Sequence, residues 1–149
     1  MGAKISISKD VISVSAGRLK GCSIDLHDNP DLLPPMQVLA AVTDGPLQFT
    51  NVPQARVKET DRIGVPAREL RKLGFSVDES ADGMTITKNG DLRGAVLDLK
   101  QDHRTTISFM GLAMHIGDCT IKNAECVEIS YPGFVKQMQE AHADISIRE

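Results

Sequence analysis

Arg56-Val57-Lys58-Glu59-Thr60-Asp61-Arg62, running on toward Glu69-Leu70-Arg71-Lys72-Leu73-Gly74, sets five charges of both signs into seven residues and then passes into an amphipathic pattern. Two readings compete. A charge run at the start of a helix is ordinarily solvated, and Glu59 and Asp61 suit the positive end of a helix dipole. In the other reading, Lys58 and Arg62 stand i, i+4, so a helix that contains both presents them on one face. Beside a helix N-terminus, whose free N–H groups attract anions, they make a phosphate or carboxylate site with Glu59 in reach. Pro66, close to Gly64, bears on the choice, because an interior proline removes a donor and clashes with the carbonyl four residues back. A helix that starts at Val65 leaves both cations in the preceding loop and weakens the shared face.

Outward from this stretch the chain repeats itself. Gly45-Pro46-Leu47-Gln48-Phe49-Thr50-Asn51-Val52 and Gly117-Asp118-Cys119-Thr120-Ile121-Lys122-Asn123-Ala124 share Gly-x-x-x-apolar-x-Asn-apolar. Each follows an apolar helical stretch opened by an aspartate, Asp31 or Asp102. Phe75-Ser76-Val77 and Ile145-Ser146-Ile147 also correspond. A period of roughly 70 residues is too long for a common solenoid and suits a repeated strand–helix unit.

Periodicity predicts strands at Ile5–Ser8, Val11–Ser15, Ser23–Leu26, Leu47–Asn51, Ala95–Leu99 and Cys119–Lys122, with Val127–Ser130 as an added one. Asp82-Gly83 predicts a hairpin between Phe75–Asp78 and Met84–Thr87. Helices are predicted from Pro30-Asp31 to about Thr43, from Thr60 or Asp61 to Gly74, over Asp102–His115, and over Phe134–His142. Alternating strands and helices with extra hairpins give an α+β fold, its sheets covered by helices.

The 149 residues are one domain's worth and long enough to bury a core, which must be aliphatic because aromatics are only 3% and Trp is absent. A net charge of -3 argues against a broad nucleic-acid footprint, so any anion site is local. Cys22, Cys119 and Cys126 are odd in number and lack metal spacing, which points to reduced thiols and a cytoplasmic protein. No apolar run reaches the length of a membrane span.

Two further clusters carry chemistry. Asp31, after His27-Asp28-Asn29, reads as a cap or first-turn carboxylate and makes a poor metal site, since no further ligand stands at a recognised spacing. Asp102-His103-Arg104 reads either as a capping aspartate with two exposed neighbours or as an arginine aimed at an anion beside a helix N-terminus. Neither a nucleophile with a paired base nor a glycine-rich phosphate loop is visible.

Taken together, these residues resemble the EPSP synthases, the 3-phosphoshikimate 1-carboxyvinyltransferases. The resemblance runs from about residue 10 to about residue 140. Its most specific part is Arg56–Arg62, followed by Asp102-His103-Arg104. Pro30-Asp31 before an Ala-rich stretch, Leu73-Gly74, Asp82-Gly83, the Cys126 region and Tyr131-Pro132-Gly133-Phe134 support it. The sister enzyme acting on UDP-N-acetylglucosamine shares the fold but lacks Lys58-Glu59 in this context.

The resemblance implies an enolpyruvyl transferase-like fold of βαβαββ-type units. It also implies transfer of the enolpyruvyl group of phosphoenolpyruvate to the 5-hydroxyl of shikimate 3-phosphate, with release of phosphate and no metal or organic cofactor. Asp31 is implied as general base, and Glu59 as the group exchanging a proton with the methylene carbon. Lys58 is implied to be both catalytic and substrate-binding, with Arg62, Arg104, His103 and Gln54 binding substrate.

The chain resembles only part of the family's C-terminal lobe, about two repeat units at roughly 1–75 and 76–149. The elements that bind shikimate 3-phosphate in the other lobe have no counterpart here, so the chain alone is expected to be inactive and to expose surface that favours self-association. Thr105-Thr106 and Ile129 depart from the usual pattern, the latter standing where many members carry Lys. Two rivals remain: a free-standing, non-catalytic domain that binds anions or a partner, and a relative of the RNA 3′-terminal phosphate cyclases. A native product this short, with Glu59→Gln harmless, marks the first; RNA binding at low salt marks the second.

Overall fold

The structure, a computed structural model, describes residues 1–148. Strands β1 (Lys4–Ser8) and β2 (Val11–Ser15) form a hairpin, followed by β3 (Leu19–Lys20), β4 (Ser23–Asp25), helix α1 (Leu33–Val38), β5 (Thr43–Asp44) and β6 (Leu47–Thr50). Helix α2 (Gly64–Leu73) leads into β7 (Phe75–Ser80) and β8 (Gly83–Lys88). Then come β9 (Val96–Leu97), α3 (His103–Ile116), β10 (Thr120–Ile121) and α4 (Phe134–Glu140).

Alternation places the core. In the sheet β4-β6-β8-β7, Ile24, Phe49 and Met84 lie in register, as do Leu47, Ile86 and Val77. This face packs into one cluster with Ala67, Leu70 and Leu73 of α2 and with Phe109 and Leu112 of α3. The opposite row, Ser23, Gln48, Thr85 and Asp78, is polar. One wet face and one helix-covered face is the α+β arrangement the alternation predicts.

The repeat has a backbone counterpart. Strand β4 pairs parallel with β6, and β9 pairs parallel with β10. Gly45 and Gly117 both take left-handed torsions, φ 85° and 84°, and Asn51 and Asn123 follow at 58° and 52°. Glycine adopts that region without a Cβ penalty and asparagine tolerates it, so the spacing marks the same two turns around β6 and around β10. The hairpin β7–β8 pairs with β6, so a line drawn near residue 75 divides the sequence repeat but not the sheet.

Several predicted elements are corrected. Helix α2 begins at Gly64, not at Thr60 or Asp61, because Pro66 fits only in a first turn. Lys58 and Arg62 therefore lie in a loop and share no helix face. The predicted helix to Thr43 is three short pieces, 3-10 at Pro30–Leu32, α1, and 3-10 at Leu39–Val42. Val127–Ser130 is no strand; Ala124–Ile129 is a 3-10 turn packed on α3. The last helix stops at Glu140, and Ile145–Ile147 forms no strand.

Hairpin β1–β2 stands apart. Ile5 faces Val14 and Ile7 faces Ile12, so four β-branched side chains share one face, and all are exposed, Ile7 at 77%. Among the described residues, no helix is long and apolar enough to cross a membrane.

Replacing Phe49 by Ala should cost about 3–5 kcal/mol, enough to threaten a domain of ordinary stability. Gln48→Ala, one residue along on the wet face, should cost under about 0.5 kcal/mol. Urea unfolding followed by circular dichroism checks the contrast.

Candidate active site

Each charged side chain of the site is placed by a short, well-braced segment. Arg56, in the last turn of a 3-10 segment at Pro53–Val57, pins it to the β7–β8 turn by donating to the Ala81 and Ser80 carbonyls. Its Nη1 also lies 2.7 Å from Asp61. Asp61 Oδ1 accepts from the N–H groups of Ile63 and Gly64, at 3.0 and 2.9 Å. The N-terminus of α2 is thus satisfied from within, and the expectation that it is free to hold an anion does not stand. Asp102 does the same for α3, accepting from the N–H groups of Arg104 and Thr105 at 3.1 Å.

The loop before α2 turns Arg62 inward, where its side chain is 1% exposed. Its guanidinium meets three carboxylates. Nε donates to Asp102 Oδ2 at 2.7 Å, Nη1 to Asp31 Oδ1 at 2.9 Å, and Nη2 to Glu59 Oε2 at 2.7 Å. Asp102 is fully buried, while Asp31 and Glu59 are half exposed. Gln37, also buried, donates to the Arg62 carbonyl at 2.8 Å and holds the backbone of that residue.

Around this centre lie the more accessible cations. Lys58 Nζ is 3.4 Å from Asp31 Oδ1, and Arg104 Nη1 is 3.6 Å from Asp31 Oδ2. His103 Nε2 is 3.6 Å from Glu59 Oε1. Six of the seven residues singled out in the sequence, Asp31, Lys58, Glu59, Arg62, His103 and Arg104, therefore converge from three separate segments. Gln54 does not join them; its amide donates to the His27 carbonyl at 2.9 Å. Asp31 forms no helix cap, since its carboxylate faces the cations instead. The three carboxylates surround a guanidinium, and no described cluster of His, Cys, Asp or Glu is arranged to hold a metal ion.

The electrostatics follow. Burial pushes the Asp31 carboxyl upward, but the hydrogen bond and charge of Lys58, with the charges of Arg104 and Arg62, bring it below its ordinary value. Burial likewise raises Asp102, and the Arg62 hydrogen bond with the α3 backbone N–H groups outweighs it. For Arg62, burial lowers the pKa and the three carboxylates raise it above the usual value. All three groups are held charged at neutral pH.

Three contributors were not legible as such. Asp102 reads in sequence as a cap, and nothing there says that it meets Arg62 across forty residues. Gln37 sits in an apolar stretch. Ser130, whose Oγ contacts His103 Nδ1, comes from the segment predicted as a strand.

Residues 1–138 match the family model described as EPSP synthase (3-phosphoshikimate 1-carboxyvinyltransferase). The chain belongs to the EPSP synthase family. It is 41% identical over 146 residues to the 3-phosphoshikimate 1-carboxyvinyltransferase of Nitrosopumilus maritimus, covering 97% of this chain and 35% of that protein. The counterpart from Methanobrevibacter smithii is 42% identical over 148 residues, at 99% and 33%. In structure the chain is similar to the EPSP synthase of Acinetobacter baumannii, with a TM-score of 0.78 at 25% identity over 95% of this chain and 36% of that one. It shares its fold with the enolpyruvyl transferase NikO from Streptomyces tendae, TM-score 0.75 at 19% identity, covering 98% and 34%. The chain thus spans about a third of the length of its EPSP synthase relatives.

Asp102→Asn or Arg62→Met should cost about 3–5 kcal/mol, because each leaves a buried charge without its main partner. The pH profile gives a second check. Asp102 titrates below its unfolded value, so its contribution is complete above about pH 4 and is lost as pH falls through the folded value. In Asp102→Asn, urea midpoints at successive pH values should fall less steeply below about pH 4 than in the unaltered chain.

Proposed function

We propose that this chain is a C-terminal part of the second lobe of an EPSP synthase, comprising about two of its repeat units. In the complete, cytoplasmic protein it would help transfer the enolpyruvyl group of phosphoenolpyruvate to the 5-hydroxyl of shikimate 3-phosphate, releasing phosphate. The observation that carries the reading is the meeting of Asp31, Lys58, Glu59 and Arg104 around a buried Arg62.

The residue types suit the chemistry. The hydroxyl oxygen bonds to the central carbon of phosphoenolpyruvate and gives its proton to Asp31, while the methylene carbon gains a proton from Glu59. Elimination then breaks the carbon–oxygen bond to phosphate, the methyl carbon returns a proton to Glu59, and the proton held by Asp31 leaves with the phosphate. Lys58 and Arg104, the accessible cations, take the phosphate and carboxylate of phosphoenolpyruvate, with His103 beside them. Arg62 reaches the same anion only where Asp31 or Glu59 yields an oxygen's place. The cations beside it hold Asp31 weakly basic. Phosphoenolpyruvate drawing off Lys58 and Arg104 restores that basicity when the base is needed. No metal or organic cofactor takes part.

Preorganised charge acts best in a closed, dry site, and this chain supplies one side of it. Alone it should release no phosphate above background with both substrates present; steady release dependent on both overturns this. Weak phosphoenolpyruvate binding, followed by isothermal titration, should fall roughly tenfold to hundredfold in Lys58→Ala and in Arg104→Ala, the equivalent of about 1.5–3 kcal/mol for each charge-assisted contact. Unchanged affinity in both variants removes the site assignment.

The apolar face of β1–β2 supports a partner, which we take to be the remainder of the longer protein. Without it the isolated chain should self-associate through that face. The double variant Ile7→Lys, Val14→Lys should shift sedimentation toward monomer without lowering the urea midpoint.

A further inference from the structure

His103 is the imidazole of the cluster, and what it offers depends on which ring nitrogen carries the proton. Its Nε2 faces Glu59 Oε1 at 3.6 Å, and its Nδ1 contacts Ser130 Oγ. Neutral imidazole has one N–H, and the partner of one nitrogen decides the role of the other. Glu59, whose other oxygen accepts from Arg62 Nη2 at 2.7 Å, turns an acceptor oxygen toward His103. A proton on Nδ1 would turn the Nε2 lone pair toward that carboxylate. The hydroxyl of Ser130 is free to donate, which leaves Nδ1 as acceptor and Nε2–H directed at Glu59.

The arrangement is held by packing. Ser130 closes the 3-10 turn Ala124–Ile129, its N–H bonded to the Val127 carbonyl at 3.1 Å. Val127 is buried with Met110 of α3 and Phe134 of α4. Cys126 Sγ lies 3.5 Å from Thr106 Oγ1, one turn along α3 from His103. The turn carrying Ser130 and the helix carrying His103 are therefore fastened to each other. Among the described residues the Ser130 hydroxyl has no hydrogen-bond partner besides His103.

We propose that Ser130 is a positioning residue, fixing His103 as the Nε2–H tautomer so that Glu59 always faces a donor. The geometry stands on its own; its consequence for proton exchange rests on the function proposed above. Glu59 must hold a proton at one stage and lack it at another. A donor locked in place faces it at both stages without itself changing charge.

The test is the protonation pattern of His103 in long-range proton–nitrogen spectra of this chain at about pH 8, where an ordinary imidazole is neutral. The expected result is a proton on Nε2, with Nδ1 resonating as a hydrogen-bonded lone-pair nitrogen. A proton on Nδ1 overturns the proposal, and this measurement needs no variant. In Ser130→Ala the Nδ1 resonance should move to that of a nitrogen without a donor, and Ser130→Thr should restore it. Unmoved ring resonances in a Ser130→Ala chain whose amide spectrum is otherwise native also overturn it. If the tautomer is as stated but phosphoenolpyruvate does not bind, the functional reading fails and the positioning stands.

Discussion

Everything at the site depends on one guanidinium kept out of water. Burying Arg62 is costly in itself, and it is tolerated because Asp102, Asp31 and Glu59 each place an oxygen on a different edge of its fork. Lysine could not substitute, since a single ammonium cannot bond along three fixed directions in one plane. The interaction also does structural work. It joins the turn before α1, the loop before α2 and the N-terminus of α3, which share no β-ladder at these points. Three segments are thereby tied to one guanidinium.

The rest of the fold serves to deliver those loops. Alternation buries one face of β4-β6-β8-β7 against α2 and α3, which sets both helices on the same side of the sheet. The caps formed by Asp61 and Asp102 then fix where each helix starts, and so where the preceding residues must turn. Glu69, buried on α2, accepts from the Asp98 N–H at 3.0 Å and ties that helix to the segment following β9. The approach to α3 is therefore positioned from α2.

Much of this was legible in the sequence. Period-two alternation marked β6 and the β7–β8 hairpin because those strands have one wet and one dry face, or a tight turn of known chemistry; β1 and β2 carry the same alternation with both faces exposed. The Gly-to-Asn repeat was legible because left-handed backbone selects those residue types. The start of α2 was misplaced because five charged side chains outweighed one proline in the pattern, although the proline carried the steric constraint. Val127–Ser130 reads as a strand because apolar and polar residues alternate there, whereas the 3-10 turn buries Val127 and leaves Ile129 exposed. At the site, the residue types and the convergence followed from the family resemblance. The partner of Arg62 did not, since a capping aspartate and an ion-pairing one are the same residue until the third dimension is known.

The balance of charge in the cluster has a consequence for how any ligand is recognised. Three carboxylates face the cations Lys58, Arg62 and Arg104, so opposite charges balance within the cluster and its field weakens quickly with distance. Such a site does not draw ligands from a distance; it trades partners with them on contact. A lone carboxylate that displaces Asp31 gains little, because it offers the cations no more than they already have. On the function proposed above, a compact molecule bearing several anionic oxygens would engage Lys58 and Arg104 together and leave Asp31 free. Discrimination is then by the density of negative charge the visitor brings, and the protein's own acids set the threshold.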